Sequence, residues 1–131
     1  MDMFPTMLEA AGLKSESAVD GMSLATVLKN PEGKLSRETL YFHYPHYYAT
    51  TAPVSSVRQG DFKLIEFLED NHVEVYNLKD DLSEKKDLAA AMPELANKLR
   101  DRLHEWRGQV NAQMPVNNPD FVPGKAGKKK K

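Results

Sequence analysis

Cysteine is absent from the 131 residues, which excludes disulfides, thiolate metal sites and a cysteine nucleophile within the chain and leaves the redox compartment open. Excess charge is missing too. The 18 basic and 19 acidic residues nearly cancel to a net charge of −1, so no field over the whole molecule draws it to nucleic acid or to an anionic membrane. No stretch approaches the roughly 20 consecutive apolar residues of a membrane helix. The opening "MDMFPTMLEA" lacks the basic region and uninterrupted apolar run of a secretory signal. No repeat at a period of roughly 20 to 50 residues is present. These absences leave neither nucleic acid nor a membrane as an expected partner.

What is present suits one domain, with 40% hydrophobic residues to build a core. In "MFPTMLEAAGL", Phe4, Met7, Leu8 and Ala11 recur at helical spacing, with Pro5 in the first turn and Gly12 at the C-terminal cap. In "DGMSLATVLKN", Ser23 is the expected N-cap, Leu24, Val27 and Leu28 the apolar stripe, and Asn30-Pro31 the stop. Two such short helices bury little by themselves, so residues 1–30 are expected to continue from material outside the chain.

The period then shifts. "ETLYFHY", "VSSVRQGDFKLIEFLE" and "HVEVYNL" are rich in β-branched and aromatic residues, with Gly60-Asp61 as a turn or bulge and Asp70-Asn71 as hairpin chemistry. From Pro93, Leu95, Leu99, Leu103, Trp106 and Val110 form one apolar stripe among charged residues. The expected fold is α+β, with short N-terminal helices, an antiparallel sheet of three to four strands and one long C-terminal amphipathic helix packed on it, over residues 31–113. Residues 114–131, "MPVNNPDFVPGKAGKKKK", lack apolar periodicity and are expected to form a poorly ordered, Lys-rich tail.

"YFHYPHYY", residues 41–48, concentrates aromatic and imidazole side chains in a chain that is 8% aromatic. His43 and His46 have a His-x-x-His spacing, but Pro45 between them excludes a helical zinc pair, and no Glu completes a metalloprotease pattern. A strand end with tyrosines packed under the long helix and histidines facing solvent is a second reading. Arg58, a rigid donor fork, suits a sulfate or carboxylate, or a structural pair with Asp61 or another carboxylate. Lys63 alternates with Phe62 and Leu64 and is expected to face solvent. Asp80, Asp81, Glu84 and Asp87 lack the alternation and central glycine of a calcium loop, so turn and capping roles are expected for them.

Taken in order, "DMFPTMLEAAGL", "VDGMSLATVLKN", "RETLYFHYPHY", "VRQGDFKLIEF" and "EVYNLKDDLSEKKDLAAAMPELANKLRDRLHEW" resemble the C-terminal end of a type I sulfatase of the arylsulfatase family. The resemblance implies a partial alkaline-phosphatase-like sulfatase fold, preceded in the whole enzyme by a missing N-terminal catalytic domain. It implies hydrolysis of sulfate esters, either sulfated carbohydrates or aryl sulfates, with a formylglycine matured from a C/S-x-P-S-R motif and with Ca2+. That motif does not occur in this chain, and the resemblance implies that the family's calcium-binding Asp-Asn pair lies upstream of Met1, so no cofactor is expected on this segment and no catalysis from it alone. The resemblance further implies a periplasmic or extracellular location. It makes His43, Tyr44, His46 and Arg58 candidate substrate-binding residues, with Tyr44, His46 and Tyr47 on a loop reaching the neighbouring cleft. In that arrangement Tyr41 and Phe42 point inward and His43 and His46 outward. The alternative function is a non-catalytic binding or interaction module on the same scaffold.

Overall fold

Sequence period and structure change together at Thr39. The computed structural model describes residues 1–15, 17–116 and 118–119, in two compact units, Met1–Glu38 and Thr39–Lys131. The Lys run at 128–131 lies outside the described residues.

The first unit contains helices α1 (Met3–Ala10) and α2 (Ala25–Lys29). Its organising residues are polar rather than the expected apolar stripe. Phe4 and Met7 are exposed, as is Leu28, whereas Thr6 and Ala25 are buried. Thr6 Oγ1 donates to the Asp2 carbonyl at 2.7 Å and accepts from the Leu24 N–H at 2.9 Å. The Asp2 carboxylate accepts from both Arg37 guanidinium nitrogens and from the Met22 N–H. The Arg37 hydrogen bonds, followed by that of Met22, hold its carboxyl down at about 2. Gly12 ends α1 at φ 70°, a conformation that disfavours any residue with a Cβ. Ser23, the expected N-cap, sits one position before the observed one: Leu24 caps α2, and Ser23 Oγ accepts the Ala25 N–H at 3.1 Å.

The second unit is a four-stranded antiparallel meander in the order β1 (Thr39–Tyr44), β2 (Val54–Gln59), β3 (Phe62–Phe67), β4 (Val73–Asn77), followed by α3 (Pro93–Gln109). Gln59 pairs with Phe62, so Gly60-Asp61 is a turn and not a bulge. Gly60 has φ 57°, and the first turn position is where a II′ hairpin needs a glycine. Asn71, left-handed at φ 60°, closes the β3–β4 connection by donating its N–H to the Phe67 carbonyl at 2.9 Å.

Strand alternation puts Tyr41, Ser55, Val57, Leu64, Glu66 and Val75 on the face that meets α3. Val57, Leu64 and Val75 pack there with Ala96, Leu99 and Leu103, flanked by Leu95 and Trp106. Most of the expected stripe on α3 is therefore correct, but Val110 lies past the helix end and is 51% exposed. The outer edge of β4 is covered: the Val75 N–H donates to Asp87 Oδ1 at 2.9 Å and the Val75 carbonyl accepts from the Leu88 N–H at 2.8 Å. Asp81 accepts the N–H groups of Lys85 and Lys86, and Asp80 holds Asn77, so this acidic stretch does serve turns. Lys63 departs from expectation. It is partly covered and pairs with Glu84 at 2.8 Å, because Glu84 returns over the open face of the sheet.

Trp106 stacks on Tyr41 with ring centroids 4.8 Å apart and planes within 3°. Trp106→Ala is expected to cost about 3 kcal/mol, the low end for a large aromatic because the ring is only partly buried. Urea unfolding followed by circular dichroism checks this, and a loss below about 1 kcal/mol would mean the stack contributes little.

Candidate functional site

β1 ends at Tyr44, and Pro45 stops it by lacking an N–H and by fixing its own φ. The chain beyond turns into a loop that returns to β2 at Val54 and is narrowed by a bridge between Tyr48 and Thr51. Tyr44 and His46 are both exposed on this end, in edge-to-face contact with ring centroids 5.5 Å apart. Among the described residues neither side chain has a hydrogen-bond partner. An imidazole and a phenol so placed offer donors and acceptors to a polar ligand. Tyr47 follows, 71% exposed, and its hydroxyl donates to Glu69 Oε1 at 2.6 Å. That bond, together with desolvation and the carboxylate's charge, raises the Tyr47 pKa, so the phenol stays protonated as a donor.

The expected orientations of Phe42 and His43 are reversed. Phe42 is 59% exposed on the open face of the sheet, and His43 lies on the α3 face, because period-two alternation ties His43 to the side that Tyr41 occupies. His43 Nε2 lies 2.7 Å from the Gln113 carbonyl, which can only accept, so this nitrogen carries the proton. In the neutral ring Nδ1 then accepts from the Ser55 hydroxyl at 2.6 Å. Arg58 is exposed and makes one long bond, Nε to the Gly60 carbonyl at 3.4 Å, rather than the expected pair with Asp61. It faces Leu40 across the β1–β2 ladder while Tyr44 faces Val54. At ~3.4 Å per residue this places Arg58 ~14 Å along the sheet from the Tyr44 end. The structure thus brings Tyr44, His46 and Tyr47 to one end and leaves His43 and Arg58 apart from them.

Sequence reasoning missed the largest polar cluster. Glu66 is 1% exposed and accepts from Arg100 Nε at 2.8 Å, His104 Nε2 at 2.8 Å and Arg107 Nη2 at 2.7 Å. Burial pushes its pKa up most strongly. The His104 and Arg100 hydrogen bonds and the Arg107 charge outweigh that together, so the net direction is down and the group stays ionised. Arg107 Nη1 also reaches Ser55 Oγ at 3.3 Å, joining this cluster to His43. The signal was available: Phe62, Leu64 and Glu66 share one strand face, and Arg100, His104 and Arg107 share one helix face. A carboxylate so buried holds α3 on the sheet and is inaccessible for chemistry.

The described residues bring together no group of three or more His, Cys, Asp or Glu side chains able to hold a metal ion.

Comparison with known proteins adds the wider context. The family model for the C-terminal region of N-sulphoglucosamine sulphohydrolase matches residues 1–109. A sulfatase of Formosa agariphila is 34% identical over 141 aligned positions, covering 94% of this chain and 26% of that protein. An N-acetylglucosamine-6-O-sulfatase of Bacteroides thetaiotaomicron is 34% identical over 126 positions, covering 92% of this chain and 22% of its own length. Among solved structures, a 2-O GAG sulfatase superposes with a TM-score of 0.72 at 27% identity, over 85% of this chain and 25% of that one. The chain therefore spans about a quarter of the length of the curated relatives it matches. With the four-stranded sheet and its long helix, these matches show that the chain belongs to the sulfatase family, as its C-terminal domain.

Proposed function

We propose that this chain is the C-terminal part of an enzyme that hydrolyses sulfate esters of sulfated carbohydrates. In it the segment supports the preceding catalytic portion and supplies part of the substrate rim, and it is inactive alone. The observation that carries the rim is the exposed Tyr44–His46 pair at the end of β1, two polar rings held by strand and proline with no partner of their own among the described residues. Sulfated sugars are favoured over aryl sulfates because two relatives are named for an N-acetylglucosamine-6-O-sulfate and for a 2-O glycosaminoglycan activity. His43 acts here as a positioning residue, tying β1 to β2 through Ser55. Arg58, ~14 Å away, reaches an anionic group only on an extended chain, not on the sugar that meets His46. Ca2+ and formylglycine belong, in this reading, to the preceding portion, and the work is done in the periplasm or outside the cell. No helix among the described residues is long and apolar enough to cross a membrane.

The test is His46→Ala in the complete enzyme. Loss of one hydrogen bond to a charged group is expected to lower kcat/KM for a sulfated sugar by about 1 to 3 kcal/mol, with thermal stability unchanged. A small aryl sulfate that does not reach the rim is expected to lose less. Equal, negligible effects on both substrates would remove His46 from the rim.

A further inference from the structure

Beside the rim, the loop after β1, the β3–β4 connection and the segment after α3 enclose a groove of about 600 Å3, lined by Tyr47, Pro53, Leu68, Glu69, Pro115, Val116 and Asn118. The size suits a small polar ligand. We propose that this groove binds a sugar unit without negative charge, adjoining the sulfated one in the carbohydrate.

Charge sets the class of ligand. Among the described residues of the lining, Glu69 is the only carboxylate, and no Lys, Arg or His joins it there. A sulfate or uronate would be repelled where nothing compensates it. The polar groups suit hydroxyls. Tyr47 donates its proton to Glu69 Oε1, which leaves the phenolic lone pairs and Glu69 Oε2 as acceptors for sugar O–H groups. The rest of the lining is aromatic or aliphatic. It offers the exposed Tyr47 ring, with Leu68, Pro115 and Val116, to the C–H face of a pyranose.

The groove is also held in shape before any ligand arrives. Pro53 in its floor is fully buried, and its carbonyl accepts the Leu68 N–H at 2.9 Å, fastening the two walls to each other. Tyr48 N–H donates to the Thr51 carbonyl at 3.0 Å, closing the loop that carries Tyr47. A site fixed in this way loses little conformational freedom on binding.

The proposal rests on the carbohydrate reading above for its ligand, but binding can be measured without turnover, so the two fail separately. The 15N-labelled 131-residue chain would be titrated with N-acetylglucosamine and N-acetylglucosamine 6-sulfate, following amide shifts. The neutral sugar is expected to move the amides of Tyr47, Leu68 and Glu69, with the sulfated one about tenfold weaker at these positions. Tyr47→Ala, at an exposed residue, is expected to abolish those shifts while keeping the spectrum dispersed. Glu69→Gln is expected to bring the sulfated sugar up toward the neutral one. No shift with the neutral sugar, shifts that survive Tyr47→Ala, or tighter binding of the sulfate would overturn the proposal. So would a Glu69→Gln variant that leaves the discrimination against sulfate intact.

Discussion

Glu66→Ala is expected to destabilise the sheet-and-helix unit by about 3 to 5 kcal/mol, the cost of breaking a buried ion pair from one side. Glu66 is 1% exposed, and the Arg107 side chain that meets it is only 11% exposed. Removing the carboxylate strands that guanidinium between strand and helix and opens a gap beside Leu64 and Leu103. Arg100 and His104 are more open to water, at 35% and 43%, so their share is the smaller one. Glu66→Gln, which keeps the volume and an acceptor oxygen, is expected to lose less. Urea midpoints read by the fluorescence of Trp106, the one tryptophan of the chain, check both variants. A loss below about 1 kcal/mol for Glu66→Ala would show that solvent already screens the cluster.

The same carboxylate gives a pH dependence of known sign. Its folded pKa lies below the ordinary value of 4.5, so the folded state holds fewer protons there than the unfolded chain does. The stabilisation is therefore complete above that ordinary value and is lost as pH falls through the lower, folded one. The stability gap between wild type and Glu66→Ala narrows over that acidic window and stays constant at neutral pH.

Periodicity made the sheet, its hairpins and α3 legible, since burial on one face writes itself into the sequence at periods of two and 3.6. The edges of that pattern were less legible. Val110 continues the stripe in sequence but follows the last helical residue. The aromatic weight of Tyr41-Phe42 concealed a strict alternation that sends only Tyr41 inward, to stack on Trp106. In the first unit, apolar spacing pointed to Phe4 and Met7, whereas Thr6 and Asp2 hold the helices through backbone groups that no side-chain period reveals. Of the candidate site, the placing of Tyr44 and His46 at the exposed end of β1 could be read from Pro45. The bond from Tyr47 to Glu69 could not, because it joins two loops separated by the whole of β2 and β3.

The central claim is that this segment shapes a sulfatase without performing its chemistry. Sulfate-ester hydrolysis in the resembled family needs an activated gem-diol nucleophile and a divalent cation on the sulfate oxygens. The chain has no cysteine, and none of its serines begins a C/S-x-P-S-R sequence, so maturation has no residue to convert. Three of its carboxylates are spent, at separate places, on cations and backbone groups: Glu66 on α3, Glu84 on Lys63, Asp87 on Val75. The effect expected on activity is thus complete rather than graded. The direct measurement is sulfate release from an aryl sulfate and from N-acetylglucosamine 6-sulfate by the purified 131-residue chain, supplied with calcium and a formylglycine-generating enzyme. The expected result is no turnover above a buffer blank on either substrate, and reproducible turnover that follows the folded chain would contradict the claim.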